Sequence, residues 1–181
     1  MKDDEAEAKI QALDWEGLRN LWGKIQARDT PDWEPGMAFE YLVLRAFELD
    51  GAIIRWPYRV DLQGEFVEQI DGLVMAAGLH TMVESKDQRD PLAIAPIAKL
   101  RSQLMRRPSA TIGMVFSTSD YTNPARVLAS YLAGQTILLW YAREITLALG
   151  GEEIVSLLRA KYLGCIKNAV SHTDTTDPEW P

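Results

Sequence analysis

Three residues of types that act together on phosphate esters lie close in the sequence: Asp71, Glu84 and Lys86. Asp71 belongs to one strand-like run, and Glu84 and Lys86 lie two apart in the next. Side chains alternate along a strand, so Glu84 and Lys86 share one face. If the two strands pair through the Ala77-Gly78 turn, Asp71 lies roughly opposite Glu84 to Lys86. The sequence therefore predicts that two carboxylates and an ammonium meet.

Two neighbouring carboxylates repel each other, so a partly dry site needs a proton or a cation between them. Oxygen ligands select Mg²⁺ or Mn²⁺, which keep water in their other positions. Lys86 would orient such a water or stabilise charge on an attacked phosphate. Glu40, in the middle of a preceding apolar helix, could orient a water or contact a second metal. These residues predict hydrolysis of a phosphodiester.

Each of these residues also has a purely structural interpretation. Glu84 and Lys86 could form an exposed pair on a solvated strand edge. Asp71 could form a hairpin turn with Gly72, in which case the strand would break there. Glu40 could occupy the exposed face of its helix.

Hydrophobic periodicity predicts alternating helices and strands around these residues. Helices are expected over 6–27, bent near 14–17, and over 37–49. Strands follow at 52–60, 66–76 and 80–86. After these come a helix from Asp90-Pro91 to about 107, a strand at 110–117, a helix at 124–133, a strand at 136–141 and a helix at 152–170. Residues 171–181 are expected to fray. This order predicts an α/β fold with helices on both faces of the sheet.

The composition limits the alternatives. The chain has 181 residues, 47% of them hydrophobic, which predicts one compact domain. A single cysteine, Cys165, and two histidines exclude a disulfide framework and a cysteine-rich zinc site. We find no signal peptide and no apolar run long enough for a bilayer. We therefore expect a cytoplasmic protein without a membrane segment.

The charge of the chain is unevenly distributed. Its net charge is −7, and the acidic termini carry all of it, so the body is neutral. No acid occurs between Asp90 and Asp120, a stretch whose cations are Lys99, Arg101, Arg106 and Arg107. This stretch is where we expect a polyanion to bind, although each cation taken alone could simply solvate its helix.

The site residues and the element order together resemble a known family. The matching strings are Gly36-x-x-Phe39-Glu40, Ile70-Asp71-Gly72, Glu84-Ser85-Lys86 and, after a helix, the strand Gly113–Thr118. From about Gly36 to Leu147 the chain resembles the PD-(D/E)XK nuclease superfamily, closest to Mrr-type restriction endonucleases. The resemblance implies a restriction-endonuclease-like αβββαβ core over 36–150, with a mixed central sheet flanked by helices. An N-terminal helical extension (1–35) and a C-terminal helix with an acidic tail (151–181) would surround it.

The resemblance also implies roles for individual residues. Asp71 and Glu84 would bind Mg²⁺, Lys86 would assist the attacking water, and Glu40 would support the metal site. Polar residues on the next helix would complete the site, here Gln103 and Lys99, which are four apart on one helical face. Ser117 and Thr118, at the end of a strand, would contact a backbone phosphate.

The expected substrate is DNA, cut in restriction of foreign DNA or in repair. Cutting a duplex takes two active centres, which favours a homodimer. The chain shows no helix-turn-helix or zinc finger, so a separate protein partner could instead supply recognition. The alternative function is a catalytically inactive nuclease-fold module that binds nucleic acid or a protein partner.

Overall fold

A computed structural model describes residues 3–131 and 135–176. Two N-terminal helices precede the long apolar helix, and four more follow the first strands. The helices are α1 (Asp3–Gln11), α2 (Trp15–Ala27), α3 (Met37–Leu49), α4 (Ile94–Leu104), α5 (Asn123–Tyr131), α6 (Ala142–Gly151) and α7 (Ile154–Asn168). The strands are β1 (Ile53–Arg55), β2 (Tyr58–Leu62), β3 (Glu65–Ile70), β4 (Gly72–Ala76), β5 (Leu79–Lys86), β6 (Thr111–Ser117) and β7 (Ile137–Trp140).

The main sheet has five strands in the order β1-β4-β5-β6-β7. The β1–β4 and β4–β5 pairs are antiparallel, whereas β5–β6 and β6–β7 are parallel. Because parallel neighbours need a crossover, α4 connects β5 to β6 and α5 connects β6 to β7. The mixed sheet flanked by helices confirms the predicted fold class.

Strand alternation divides the core between the two faces of the sheet. Met114 and Phe116 of β6 face the larger core with Phe47 of α3, and the rings of Phe47 and Phe116 meet edge to face, 6.2 Å apart. Val115, between them in sequence, faces the other core with Leu100 of α4. A central strand covered on both sides is expected to be apolar, as β6 is from Ile112 to Phe116.

The first two predicted strands are wrong, because the structure divides each of them into two strands. Residues 52–60 form β1 and β2, and residues 66–76 form β3 and β4. β1 and β4 belong to the main sheet, while β2 and β3 pair only with each other, across a turn at Gln63-Gly64 where both residues have positive φ. We call this separate two-stranded ribbon, residues 58–70, the β-arm. Asp71 is the residue between the arm and the main sheet.

Two features at the C-terminal end differ from prediction. Helix α6 was not predicted, because its short apolar pattern follows β7 directly and resembles a loop between two stronger elements. Residues 171–176 were predicted to fray, which is wrong. Ser171 is buried, and its carbonyl accepts a hydrogen bond from Leu139 N of β7 at 3.1 Å. The predicted end of the 124–133 helix and the last residues of the acidic tail lie outside the described residues.

The N-terminal helices conform to the predicted bend. α2 begins after Asp14, whose carboxylate accepts a hydrogen bond from Gly17 N at 2.9 Å and so caps the helix. In the described ranges, none of the helices has the length and apolar character needed to cross a membrane.

Candidate active site

The structure brings Asp71, Glu84 and Lys86 together at the end of β5. Gly72 of β4 pairs with Val83 of β5, so Asp71, one residue earlier, comes opposite Glu84. Asp71 Oδ2 accepts a hydrogen bond from Ser85 N at 2.9 Å, which fixes the carboxylate beside the strand. Alternation along β5 then places Glu84 and Lys86 on one face, as predicted.

The strand does break at Asp71, but the chain does not turn there. β3 ends at Ile70 and β4 begins at Gly72, while the reversal toward β5 occurs at Ala77-Gly78. The interpretation of Asp71 as a hairpin-turn residue is therefore wrong, although the break that it entailed is present. β5 lies between β4 and β6, so Glu84 is also not on a solvated edge, and it is only 1% exposed.

Glu84 lies between two ammonium groups. Lys86 Nζ is 2.7 Å from Glu84 Oε1 and 3.7 Å from Asp71 Oδ2, and it donates a hydrogen bond to the Ser85 carbonyl at 2.9 Å. From α4, Lys99 Nζ donates to Glu84 Oε2 at 2.7 Å. A buried carboxylate needs such partners, because an unpaired charge away from water is very costly.

Gly72 allows α3 to approach the site. A Cβ atom at this position would lie 2.5 Å from Leu44 Cδ2, so a larger residue would push the helix away. Glu40 precedes Leu44 by four residues and therefore lies on the same helical face, one turn nearer the N-terminus. This packing brings Glu40, which lies in the first turn of α3 and not in its middle as predicted, within electrostatic reach of Asp71.

Two carboxyl groups at the site, those of Glu40 and Asp71, have pKa values shifted toward the protonated form. Burial raises the pKa of Glu40 to about 7, the charge of Asp71 adds to the rise, and Lys86 opposes it. Burial, followed by the charge of Glu84, likewise raises the pKa of Asp71. Burial lowers the pKa of Lys86, but the charges of Asp71 and Glu84 outweigh this and the net shift is upward. Lys86 is therefore an ammonium ion at neutral pH.

The raised pKa of Glu40 predicts a pH-dependent stability in protein without added metal. In the unfolded chain the pKa is near 4.5, so the folded state holds the proton more tightly and loses stability as the pH rises through about 7. We expect Glu40→Gln to remove about 2 kcal/mol of this loss between pH 5 and pH 8. Urea unfolding in EDTA at both pH values measures it. Glu16→Gln, which removes an exposed helix carboxylate, is the control. The prediction would be contradicted if the free energy of unfolding changed equally between pH 5 and pH 8 in the two variants.

The residues present fit a hard divalent cation. In the ranges 3–131 and 135–176, no group of three or more Asp, Glu, His or Cys side chains forms a metal cage. Mg²⁺ needs no such cage, because it commonly binds through one or two carboxylates and completes its shell with water and substrate phosphate. Glu84 Oε1 is buried and has no hydrogen-bond donor, since its contact with Lys86 is an ion pair without hydrogen-bond geometry. Glu84 Oε1, with Asp71 opposite it, thus keeps acceptor capacity for a cation, which would take the place of the Lys86 ammonium group beside it.

Two predicted residues contact the β-arm. Gln103 of α4 was predicted as a site residue, and Arg106, in the turn after α4, as a DNA-binding residue. Gln103 is buried, and its side-chain amide donates to the Gln69 carbonyl at 3.1 Å. The guanidinium groups of Arg106 and Arg107 both pair with Glu68. Sequence reasoning missed Glu68. The signal in the sequence was an acid in a strand-like run that is followed by a basic helix. The predicted roles of Gln103 in the active site and of Arg106 in DNA binding stay predictions.

The remaining predicted DNA contacts differ in exposure. Arg101 is exposed on α4, whereas Ser117 is fully buried, with its hydroxyl 3.1 Å from that of Ser119. Thr118 accepts hydrogen bonds from Arg28 and from Gln88 N, both at 3.1 Å. The hydroxyl groups of Ser117 and Thr118 therefore already make hydrogen bonds within the protein. Their predicted contact with phosphate stays a prediction.

Comparison with known proteins assigns the chain to a family. AF1548, a protein of unknown function with a crystal structure, has 14% sequence identity to this chain. The match has a TM-score of 0.48 and covers 83% of this chain and 79% of AF1548. AspBHI, a DNA modification-dependent restriction endonuclease, is 15% identical with a TM-score of 0.46, and the match covers 94% of this chain but 43% of AspBHI. No curated protein matches the chain at a significant level. The Mrr_cat family, described as restriction endonuclease, matches residues 33–149, more than half of the sequence, and the chain therefore belongs to that restriction endonuclease family.

Proposed function

We propose that this protein is a Mg²⁺-dependent endonuclease that hydrolyses phosphodiester bonds in DNA, with Mn²⁺ as a substitute cation. The observation that carries the proposal is the meeting of Asp71, Glu84 and Lys86 at the end of the central strand β5. Membership of a restriction endonuclease family supports the broader statement, a DNA nuclease that acts in defence. The metal dependence and the active state of the site belong to the proposal.

Asp71 and Glu84 would hold the cation, since their oxygens are the ligand type that Mg²⁺ prefers. When bound, the cation would supply positive charge to the phosphate and increase the acidity of a water molecule. The backbone N–H of Ser85 orients Asp71 for this role, because it already holds Oδ2 at 2.9 Å. Glu84 is fixed by its strand and by Lys99.

Lys86 would act as a donor in the reaction. Its side chain is one-third exposed, so its ammonium group reaches both the buried carboxylates and the solvent from which water and phosphate arrive. A charged ammonium can orient the attacking water and stabilise negative charge on the phosphate oxygens. Glu40, with a pKa of about 7, would orient a second water and exchange its proton near neutral pH.

One observation favours the alternative, a nuclease-fold module without activity. Both oxygens of Glu84 already face an ammonium group, Oε1 that of Lys86 and Oε2 that of Lys99. A site balanced in this way is stable without a metal, as a purely structural ion-pair cluster would be. The two functions therefore differ in whether a cation displaces these contacts.

Thermal unfolding with added MgCl₂ or MnCl₂ tests the proposal. A ligand at a hundred times its Kd stabilises the folded state by about 2.7 kcal/mol. For a chain of this length we expect the Tm to rise by about 5 °C or more. Asp71→Ala should abolish the rise. Asp61→Ala, which removes an exposed carboxylate of the β-arm, should keep it. A Tm that does not respond to either metal, together with no cleavage of any DNA, would favour the inactive module.

The assembly of the nuclease is a further part of the proposal. Cutting both strands of a duplex takes two active centres, and a homodimer provides them by symmetry. A partner protein that supplies DNA recognition is the alternative. Sedimentation of the protein with and without DNA distinguishes the two, because a monomer in both samples would point to the partner protein.

A further inference from the structure

A groove of about 430 Å³ opens beside the candidate active site, between the β-arm and α4. Phe66, Val67 and Glu68 line it from the arm, Lys99 and Ser102 line it from α4, and Arg106 lines it from the turn after α4. No role described above explains why this space is open. Its volume is in the range of pockets that hold a small ligand.

One end of the groove is continuous with the catalytic residues. Lys99 lines the groove and also contacts Glu84, so one side chain joins this end to the carboxylates. Arg106, in the turn that follows α4, lines the groove as well, and the helix rises about 7.5 Å from Lys99 to its last residue, Leu104. A molecule in the groove therefore extends away from the active site over a length that fits one or two nucleotides.

The two walls of the groove differ in chemistry. On the arm, Phe66 is 53% exposed and Val67 43% exposed, so both present apolar surface to solvent. The guanidinium of Arg59 lies 4.5 Å from the centroid of the Phe66 ring, so that ring is held in place on the arm. The exposed aromatic surface is thus a fixed platform.

The opposite wall carries surplus positive charge. Among residues 3–131 and 135–176, Arg106 and Arg107 share one carboxylate, that of Glu68, so this cluster of three has a net charge of +1. An aromatic platform facing a cationic wall is the combination that binds single nucleic-acid strands, because the base stacks on the ring and the backbone phosphate pairs with the cation. An apolar peptide would leave the cationic wall unpaired, so the charge favours a nucleotide.

We propose that this groove holds one unpaired nucleotide of the DNA strand, with its base against Phe66 and its backbone along Lys99 and Arg106. This inference rests on the proposed nuclease function and specifies its substrate. A base within a duplex is stacked on its neighbours, so a base that stacks on Phe66 instead comes from a single-stranded segment or is extruded from a duplex. The protein would accordingly prefer DNA in which a base beside the cleaved bond is free or easily freed.

Fluorescence anisotropy with the full chain in EDTA tests this directly. The probes are a fluorescein-labelled single strand, the matched duplex and the same duplex with one mismatch. We expect Phe66→Ala to weaken binding of the single strand about tenfold, because base stacking on an aromatic side chain is lost. Phe66→Tyr should bind like the unchanged protein. Leu62→Ala is the matched control, since Leu62 is also on the arm and 57% exposed but does not line the groove.

The probes also separate the sources of the base. Weaker binding of the mismatched duplex by Phe66→Ala supports extrusion, and weaker binding of the single strand alone supports a single-stranded substrate. If Phe66→Ala binds every probe as Leu62→Ala does, or weakens all three equally, the inference is overturned while the nuclease function stands on cleavage by the unchanged protein. If the unchanged protein neither binds nor cuts any of these DNAs, the proposed function and the inference fail together.

Discussion

Lys86→Ala is expected to lower the rate of DNA cleavage by about 10²- to 10⁴-fold, the range for losing one donor or proton-transfer group at a reacting centre. The variant should still fold, because Glu84 keeps its ion pair with Lys99 when Lys86 is removed. Asp71→Ala should lower the cleavage rate to a similar extent, because a metal-binding carboxylate is lost. The measurement is nicking and linearisation of plasmid DNA with Mg²⁺ or Mn²⁺.

The matched control is Lys167→Ala, which removes an exposed ammonium group on α7. It should cut at the rate of the unchanged protein. Circular dichroism and the Tm of each variant confirm that it folds. Cleavage by folded Lys86→Ala at the unchanged rate would show that the residue has no part in the chemistry, and cleavage by Asp71→Ala would place the metal elsewhere.

Lys161→Met is expected to destabilise the protein by about 3–5 kcal/mol, the cost of breaking a buried ion pair. Lys161 is 1% exposed and Glu144 is fully buried, and their charged groups are 2.7 Å apart. Glu144 also accepts hydrogen bonds from Thr175 N and Tyr141 N, so its carboxyl group stays held in its buried position when its partner is removed. For a chain of this size the Tm should fall by about 10 °C.

Lys167→Met, on the same helix but exposed, is the control and should change the Tm little. The double variant Lys161→Met with Glu144→Leu should recover part of the loss, since it leaves no unpaired charge. Thermal unfolding of the three variants measures this. Equal Tm values for Lys161→Met and Lys167→Met would contradict a stabilising role for the buried pair.

The sequence predicts best what depends on local periodicity. Helix α3 has the predicted bounds, because its apolar residues repeat at helical spacing without interruption. The meeting of Asp71 with Glu84 follows from strand alternation and one short turn, both of which are readable locally. The division of the predicted strands 52–60 and 66–76 between the main sheet and the β-arm was not predictable in this way. An alternating pattern is the same whether a strand stays in one sheet or leaves it.

Contacts between distant positions were beyond sequence reasoning. Glu144 and Lys161 are 17 residues apart and belong to different helices, and nothing local to either indicates that it is buried. Residues 171–176 have the polar composition of a mobile tail, yet their carbonyl and hydroxyl groups bind β7, Tyr141 and this ion pair. Such pairings depend on how elements pack, which composition does not encode.

The break at Asp71 has a consequence for how this nuclease fold can diversify. The register between β4 and β5 positions the carboxylates, and it lies wholly in the main sheet. The β-arm begins where that register ends, so its length and tip can vary without moving Asp71 relative to Glu84. On the proposed function, substrate choice belongs to the β2–β3 pair and bond cleavage to the β4–β5 pair, so the first can change in length while the second keeps the carboxylates in place.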